Sequence, residues 1–139
     1  MINAVIARLK DRAPELADVL PAEDVDAIGK GPAPRNGTVF VLPYREQAEP
    51  NELAMGGFEQ RVLVQILTAF VVRRHDDAKG GRRVLDFDAI KAAIEGAIAG
   101  WAVSPGNDLF ELVAGQAGSL GNGVSIYVQT WQTSRVLEA

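Results

Sequence analysis

Two stretches of the chain repeat apolar residues at the spacing of an α-helix. The first predicts a short helix that ends at about Ala13, because Pro14 pushes the residue before it out of the helical region. The second predicts a helix that begins with Asp86 or Asp88 as its N-cap and is stopped by Gly100. The apolar faces consist of Ile2, Val5, Ile6 and Leu9 in the first helix and of Ile90, Ala93, Ile94, Ala97, Ile98 and Trp101 in the second.

Other stretches alternate apolar and polar residues or run apolar throughout, as β-strands do. A turn at Asn36-Gly37 precedes a buried strand over 38–42, which Pro43 closes or places at a sheet edge and which residues 44–48 can extend. The clearest strand covers 58–73, where both faces are apolar in the middle, so it is predicted to be central. Sixteen residues at ~3.4 Å each would span about 54 Å, so this strand is expected to bend, break or project towards a neighbouring subunit.

The last third of the chain predicts a β-hairpin. A segment over 109–120 precedes Asn122-Gly123, which favours a type I′ turn, and a strand follows over 124–131. Residues 16–31 predict no strong element, only a brief helical turn from Pro21. The chain is therefore predicted to form one α+β domain over 1–139, a mostly antiparallel or mixed sheet packed against two main α-helices.

Composition adds limits to this architecture. A chain of 139 residues with 47% hydrophobic content suits one core, and no stretch is long and apolar enough for a membrane helix, so a soluble protein made in the cytoplasm is expected. The start of the chain lacks the pattern of a signal peptide. With no cysteine, the chain contains no disulfide, thiolate metal site or cysteine nucleophile.

Charge is distributed unevenly along the chain. The net charge of -4 argues against a general nucleic-acid binder. Residues 15–59 carry nine acidic side chains against three basic ones, whereas residues 60–91 carry seven basic against four acidic. These are either solvated surface charges or the two ends of a bipolar subunit whose copies pair head to tail.

No catalytic, cofactor or metal site is predicted. His75 is the only histidine, and no Gly-x-Ser-x-Gly motif accompanies the serines. The carboxylates near it, Asp76, Asp77, Asp86 and Asp88, lack metal-site spacing and are better explained by loop solubility and helix capping. The glycines at 115, 118 and 121 indicate a hairpin and not a phosphate-binding loop. Trp101, Tyr127 and Trp131 are interpreted as core or sheet-face residues.

One charged loop over 73–83 is the single candidate for a contact patch. Its arginines are Arg73, Arg74, Arg82 and Arg83, and the aspartates within it dilute their charge. A solvated loop and an assembly-contact loop are the two interpretations.

The order of these features resembles the phage tail-terminator family over nearly the whole chain. The matching features are the first helix, the 39–43 strand, the 50–51 loop, the 58–73 strand, an Asp/Gly loop, a helix ending at Gly100-Trp101 and a C-terminal hairpin. The glycine-rich stretch 112–123 departs from the family pattern.

The resemblance implies a structural virion protein with no enzymatic activity and no cofactor. Such a protein caps the tail tube as a homo-hexameric ring at the head-proximal end, stops tube polymerisation and offers a docking surface to head-completion or neck proteins. Its expected partners are its own copies, the tube protein and a neck protein, with no membrane and no sequence-specific nucleic-acid binding, although DNA passes through the ring. The alternatives are a head-tail connector and, in a different class, a small ligand-binding or regulatory domain.

Overall fold

A computed structural model describes residues 1–53, 55–74, 80–120 and 123–138, and for 73–74 and 80–86 it describes the backbone only. The described elements are three helices and five strands. In chain order they are α1 (Ile2–Arg12), β1 (Asp18–Pro21), α2 (Val25–Lys30), β2 (Thr38–Ala48), β3 (Glu59–Arg74), α3 (Gly80–Ile98), β4 (Glu111–Ser119) and β5 (Val124–Glu138).

The strands form one mixed sheet in the order β1-β2-β3-β5-β4. Only β1 and β2 are parallel, and the three other pairings are antiparallel. The prediction of a single-domain α+β fold with a mostly antiparallel sheet is therefore confirmed.

Strand β3 lies at the centre of the sheet, as predicted. It pairs with β5 of the same chain from Glu59 to Arg74, with an irregularity between Val71 and Arg73. The strand therefore reaches its 16-residue length without projecting unpaired, because β5 continues for 15 residues, to Glu138. Of the three alternatives predicted for this strand, the pairing with β5 gives no support to projection, whereas the register shift between Val71 and Arg73 is an irregularity within the strand.

Helices α1 and α3 cover one face of the sheet and form the larger core. Val5 and Leu9 of α1 and Ile94 and Ile98 of α3 are fully buried, as the helical spacing predicted. They pack on alternate residues of β2, β3 and β5, which include Val39, Val41, Val64, Ile66, Phe70 and Trp131. Arg8 joins the two helices, since its Nε donates to the Ala97 carbonyl oxygen at 2.9 Å.

The opposite face of the sheet carries a second, smaller core. Leu42, Leu67, Ala69 and Ile126 are buried there beneath Ile28 of the short helix α2. Burial on both faces explains why the middle of β3 is apolar at almost every position.

A chain of buried polar groups crosses the larger core. The Trp131 indole Nε1 donates to Thr68 Oγ1 at 3.0 Å, and that hydroxyl donates to Gln129 Oε1 at 3.4 Å. Gln129 Nε2 in turn donates to Glu95 of α3 at 2.9 Å. The polar Thr68 within an apolar strand is thus explained by its hydrogen bonds to Trp131 and to Gln129, which lies opposite it.

Three boundaries differ from the sequence predictions. Strand β1 and helix α2 occupy a stretch in which only a brief helical turn was expected. Helix α3 begins at Gly80, so Asp86 and Asp88 lie inside the helix and are not N-caps. Strand β5 runs seven residues beyond the predicted end at Trp131.

The C-terminal hairpin is confirmed, because β4 pairs antiparallel with β5. Asn122 and Gly121 lie outside the described residues, so the turn type stays a prediction. Gly115 lies in β4, where an added Cβ would be 2.4 Å from the Tyr127 hydroxyl. Glycine at this position therefore makes room for an aromatic side chain that packs with Phe70 and Phe87.

Candidate assembly surface

The outer edge of β4 is open to solvent. Among the residues that the structure describes, this strand pairs only with β5, and its residues are exposed except for the half-buried Gly118. From Leu112 to Ser119 it carries neither charge nor proline, and Leu112 and Val113 are 48% and 51% exposed. Natural sheets usually protect such edges with charged residues, proline or a covering element. A neutral edge strand is typical of a surface that pairs with another strand.

A groove of about 500 Å³ lies beside this edge, on the face of the smaller core. It is bounded by Val25 of α2, by Tyr44 of β2 and by residues 114–119 of β4. Tyr44 is 58% exposed. The smaller core is therefore covered only in part, and apolar surface continues from the sheet face to the open edge.

A second open edge lies on the opposite side of the sheet. Strand β1 pairs with β2 only from Thr38 to Val41, so residues 43–48 of β2 have a sheet neighbour on one side only. All six are exposed. Pro43 lies in this stretch, which confirms the prediction of a sheet-edge proline, and the register shifts immediately after it.

Four polar residues mark one row across the sheet between the two edges. Arg45 of β2 pairs with Gln65 of β3, which pairs with Gln132 of β5, which pairs with Glu111 of β4. The Gln65 amide donates to Gln132 Oε1 at 2.9 Å, so their side chains share a face. The row fixes which residues of the two open edges lie at the same level.

Two ion pairs join segments at one end of the sheet. Arg135 donates to both carboxylate oxygens of Glu46, at 2.9 and 3.1 Å, and these hydrogen bonds lower the pKa of Glu46 below its ordinary value. Arg61 binds Asp108, whose pKa is lowered by the hydrogen bonds from Arg61 and Ser134. Each pair joins segments distant in sequence, and the pair of Arg135 with Glu46 holds the β2 edge against β5.

The described residues of the loop between β2 and β3 include exposed apolar side chains. Asn51 accepts hydrogen bonds from the backbone N–H groups of Leu53 and Glu59, at 3.2 and 2.9 Å. Met55 is 91% exposed and Phe58 is 41% exposed on this loop. These two side chains make the loop a candidate contact surface.

The four arginines of the predicted contact loop do not lie in one loop. Arg73 and Arg74 are the last residues of β3, and Arg82 and Arg83 lie in the first turn of α3. Their side chains lie outside the part of the chain that the structure describes, so their role in assembly stays a prediction.

The open edges of β2 and β4 were not among the features predicted from the sequence. The uncharged run over 112–119, directly before the hairpin turn, is the sequence pattern that could have indicated the β4 edge. The β2 edge has no comparable pattern, because it depends on the length of β1.

No catalytic arrangement appears in the described residues. Among them, no three histidine, aspartate or glutamate side chains are close enough to hold a metal ion. The pKa shifts that are resolved belong to the two exposed ion pairs of the sheet. His75, Asp76 and Asp77 lie outside the described residues. None of the helices described could cross a membrane.

The fold and these surfaces define a single-domain α+β protein with two open sheet edges. The family model for the phage tail terminator protein matches residues 1–139, so the chain belongs to the phage tail terminator family. No curated protein matches the chain. The family is a structural one, and its members are components of the virion tail. The predicted resemblance is thereby confirmed, and the chain has a structural role in a phage tail.

Proposed function

We propose that this protein caps the head-proximal end of the phage tail tube as a closed ring of six copies. In that position it stops the addition of tube subunits and gives head-completion or neck proteins a surface to dock on. DNA passes through the ring, and no cofactor or reaction is involved. Assembly takes place in the host cytoplasm.

The observation that carries this proposal is the family match over the whole chain. The open edges of β2 and β4 add support, because a ring needs two different surfaces on each subunit that fit one another. The exposed Met55 and Phe58 give the subunit a further apolar surface for a partner outside the ring.

Charge is proposed to orient the subunits. The acidic side chains of 15–59 would meet Arg73, Arg74, Arg82 and Arg83 of the next copy. Exposed ion pairs contribute at most about 1 kcal/mol each and are screened over ~8 Å at physiological salt, so strand and apolar contacts must supply most of the stability. An Arg73→Glu/Arg82→Glu variant should therefore assemble less well while its circular dichroism spectrum stays that of the wild type.

The test is to mix the purified protein with tube protein and to examine tube ends by electron microscopy. A ring at one end of each tube supports the proposal. Binding to isolated neck proteins without any binding to tube ends would favour the head-tail connector instead. A protein that stays monomeric at tube ends would refute the capping function. A ring that survives the charge reversal would refute only the electrostatic contribution.

A further inference from the structure

We infer that the ring closes by strand pairing, with the open edge of β4 in one subunit joined antiparallel to residues 43–48 of β2 in the next copy. This inference rests on the proposed ring and specifies the contact that would close it. The partner is thus a second copy of this chain, and the sheets of all copies would form one continuous barrel.

The polarity of the two edges fits a ring. Passing from β2 through β3 and β5 to β4 crosses three antiparallel pairings, so β2 and β4 run in opposite directions. Rotation about an axis near the strand direction preserves strand direction, so β4 meets the next β2 antiparallel at every contact. Two identical β4 edges could also pair, but such an isologous contact ends with a dimer.

The lengths of the edges limit the register. Residues 43–48 of β2 are uncovered, whereas 38–41 are already paired with β1. The register that places Gln116 opposite Arg45 sets Ala114 opposite Gln47 and ends β4 before it reaches the neighbour's β1. In this register each face of one sheet continues into the same face of the next, because Arg45 and Gln116 both lie on the face opposite α1 and α3.

This register fixes the strand tilt and the diameter of the barrel. Within one subunit, the row of paired residues that begins at Arg45 ends at Glu111 of β4. Between subunits, Arg45 of the next copy would pair with Gln116 instead. The register along β4 therefore shifts by about four paired positions, or ~14 Å, from one subunit to the next. Four strand spacings of ~4.8 Å add up to ~19 Å, and the ratio of the two lengths gives a strand tilt of about 35°. Closed barrels have tilts of about 35–45°. Six copies would make a barrel about 45 Å across between backbones.

The edge is also suited to the contact by its side chains. Residues 112–119 bring no charge that would have to be desolvated, and their small side chains at 114, 115, 117 and 118 allow close approach of a neighbour. Tyr44, 58% exposed on β2, would pack across the new pair.

Cysteine crosslinking tests the register directly, because the chain has no native cysteine. Directly opposite residues in an antiparallel pair have Cα atoms about 4.5–5.5 Å apart, within the range of a disulfide. An Arg45→Cys/Gln116→Cys variant and a Gln47→Cys/Ala114→Cys variant should form ladders of oligomers in the presence of tube protein, as seen on non-reducing gels. The control is an Arg45→Cys/Glu111→Cys variant. Its two cysteines would face each other only if neighbouring subunits paired without the shift in register, so it should crosslink at least tenfold less.

Each outcome separates the inference from the proposed function. Ladders from both test pairs, with native circular dichroism under reducing conditions, support strand pairing. Wild-type protein that caps tubes while neither test pair crosslinks, or while the control crosslinks better, overturns the inference and leaves the capping function standing. Wild-type protein that does not bind tube ends overturns the proposed function itself. A ladder that stops at the dimer overturns the ring contact.

Discussion

Replacing Ile66 by alanine should destabilise the protein by about 3–4 kcal/mol. Ile66 is 1% exposed at the centre of β3, between Pro43 of β2 and Trp131 of β5. The change removes three carbons at about 0.8 kcal/mol each, or about 2.4 kcal/mol of transfer free energy. The cavity adds to this loss, because both neighbouring residues belong to paired strands that cannot close the space.

Urea denaturation followed by circular dichroism measures this effect. The midpoint should fall without a change in the slope m, and the thermal midpoint should drop by about 12–16 °C at ~4 °C per kcal/mol. Leu137→Ala is the matched control, because Leu137 is 39% exposed and should cost less than about 1 kcal/mol. A loss below about 1 kcal/mol for Ile66→Ala would show that the core is not packed around β3.

Three further predictions concern hydrogen bonds and charge. Thr68→Val should lower the free energy of unfolding by about 1–3 kcal/mol, because it leaves the Trp131 indole N–H buried without its acceptor. Thr68→Ser keeps the hydroxyl and should lower it much less. Equal losses for the two variants in urea denaturation would contradict this prediction. The pKa of Glu46 is lowered by Arg135, so this pair stabilises the fold above the ordinary value of 4.5 and loses its effect as the pH falls through the lowered pKa. Glu46→Gln should therefore flatten that part of the stability curve, and an unchanged acid dependence would count against the pair. His75→Ala should leave assembly intact, and a metal lost in elemental analysis of that variant would contradict the structural assignment.

The elements that could be predicted are those whose burial follows a regular spacing. Helix α1 and strand β3 each contain many apolar residues at a regular spacing. The turn before β2 was predicted from Asn36-Gly37, because Gly37 has a positive φ of 86°, a conformation that favours glycine. Strand β1 was missed because it has only four residues and buries one of them, Val19, so no period can be recognised.

Other boundaries depend on contacts that a sequence does not display. Strand β5 continues past Trp131 through Thr133 and Ser134, two polar residues that are buried because the loop at Asp108 hydrogen bonds to them. A pattern of apolar residues cannot reveal a strand that is held by such bonds. The start of α3 was missed because Gly80-Gly81 has poor helix propensity.

The candidate surface was the hardest feature to predict. A strand edge is open when no other strand pairs with it. Whether this is so depends on the order of all five strands and on where β1 ends. The family resemblance, by contrast, depends on the order of elements along the chain, which the sequence displays directly.

The growth of tail tubes is the decisive measurement of the capping function. Tubes would be assembled from purified tube protein, incubated with or without a stoichiometric amount of this protein, and then supplied with fresh tube subunits while lengths are measured by electron microscopy. We expect treated tubes to keep their length and carry a ring at one end, while untreated tubes lengthen. Tubes that lengthen equally at both ends in the presence of the protein, with no ring, would contradict the capping function.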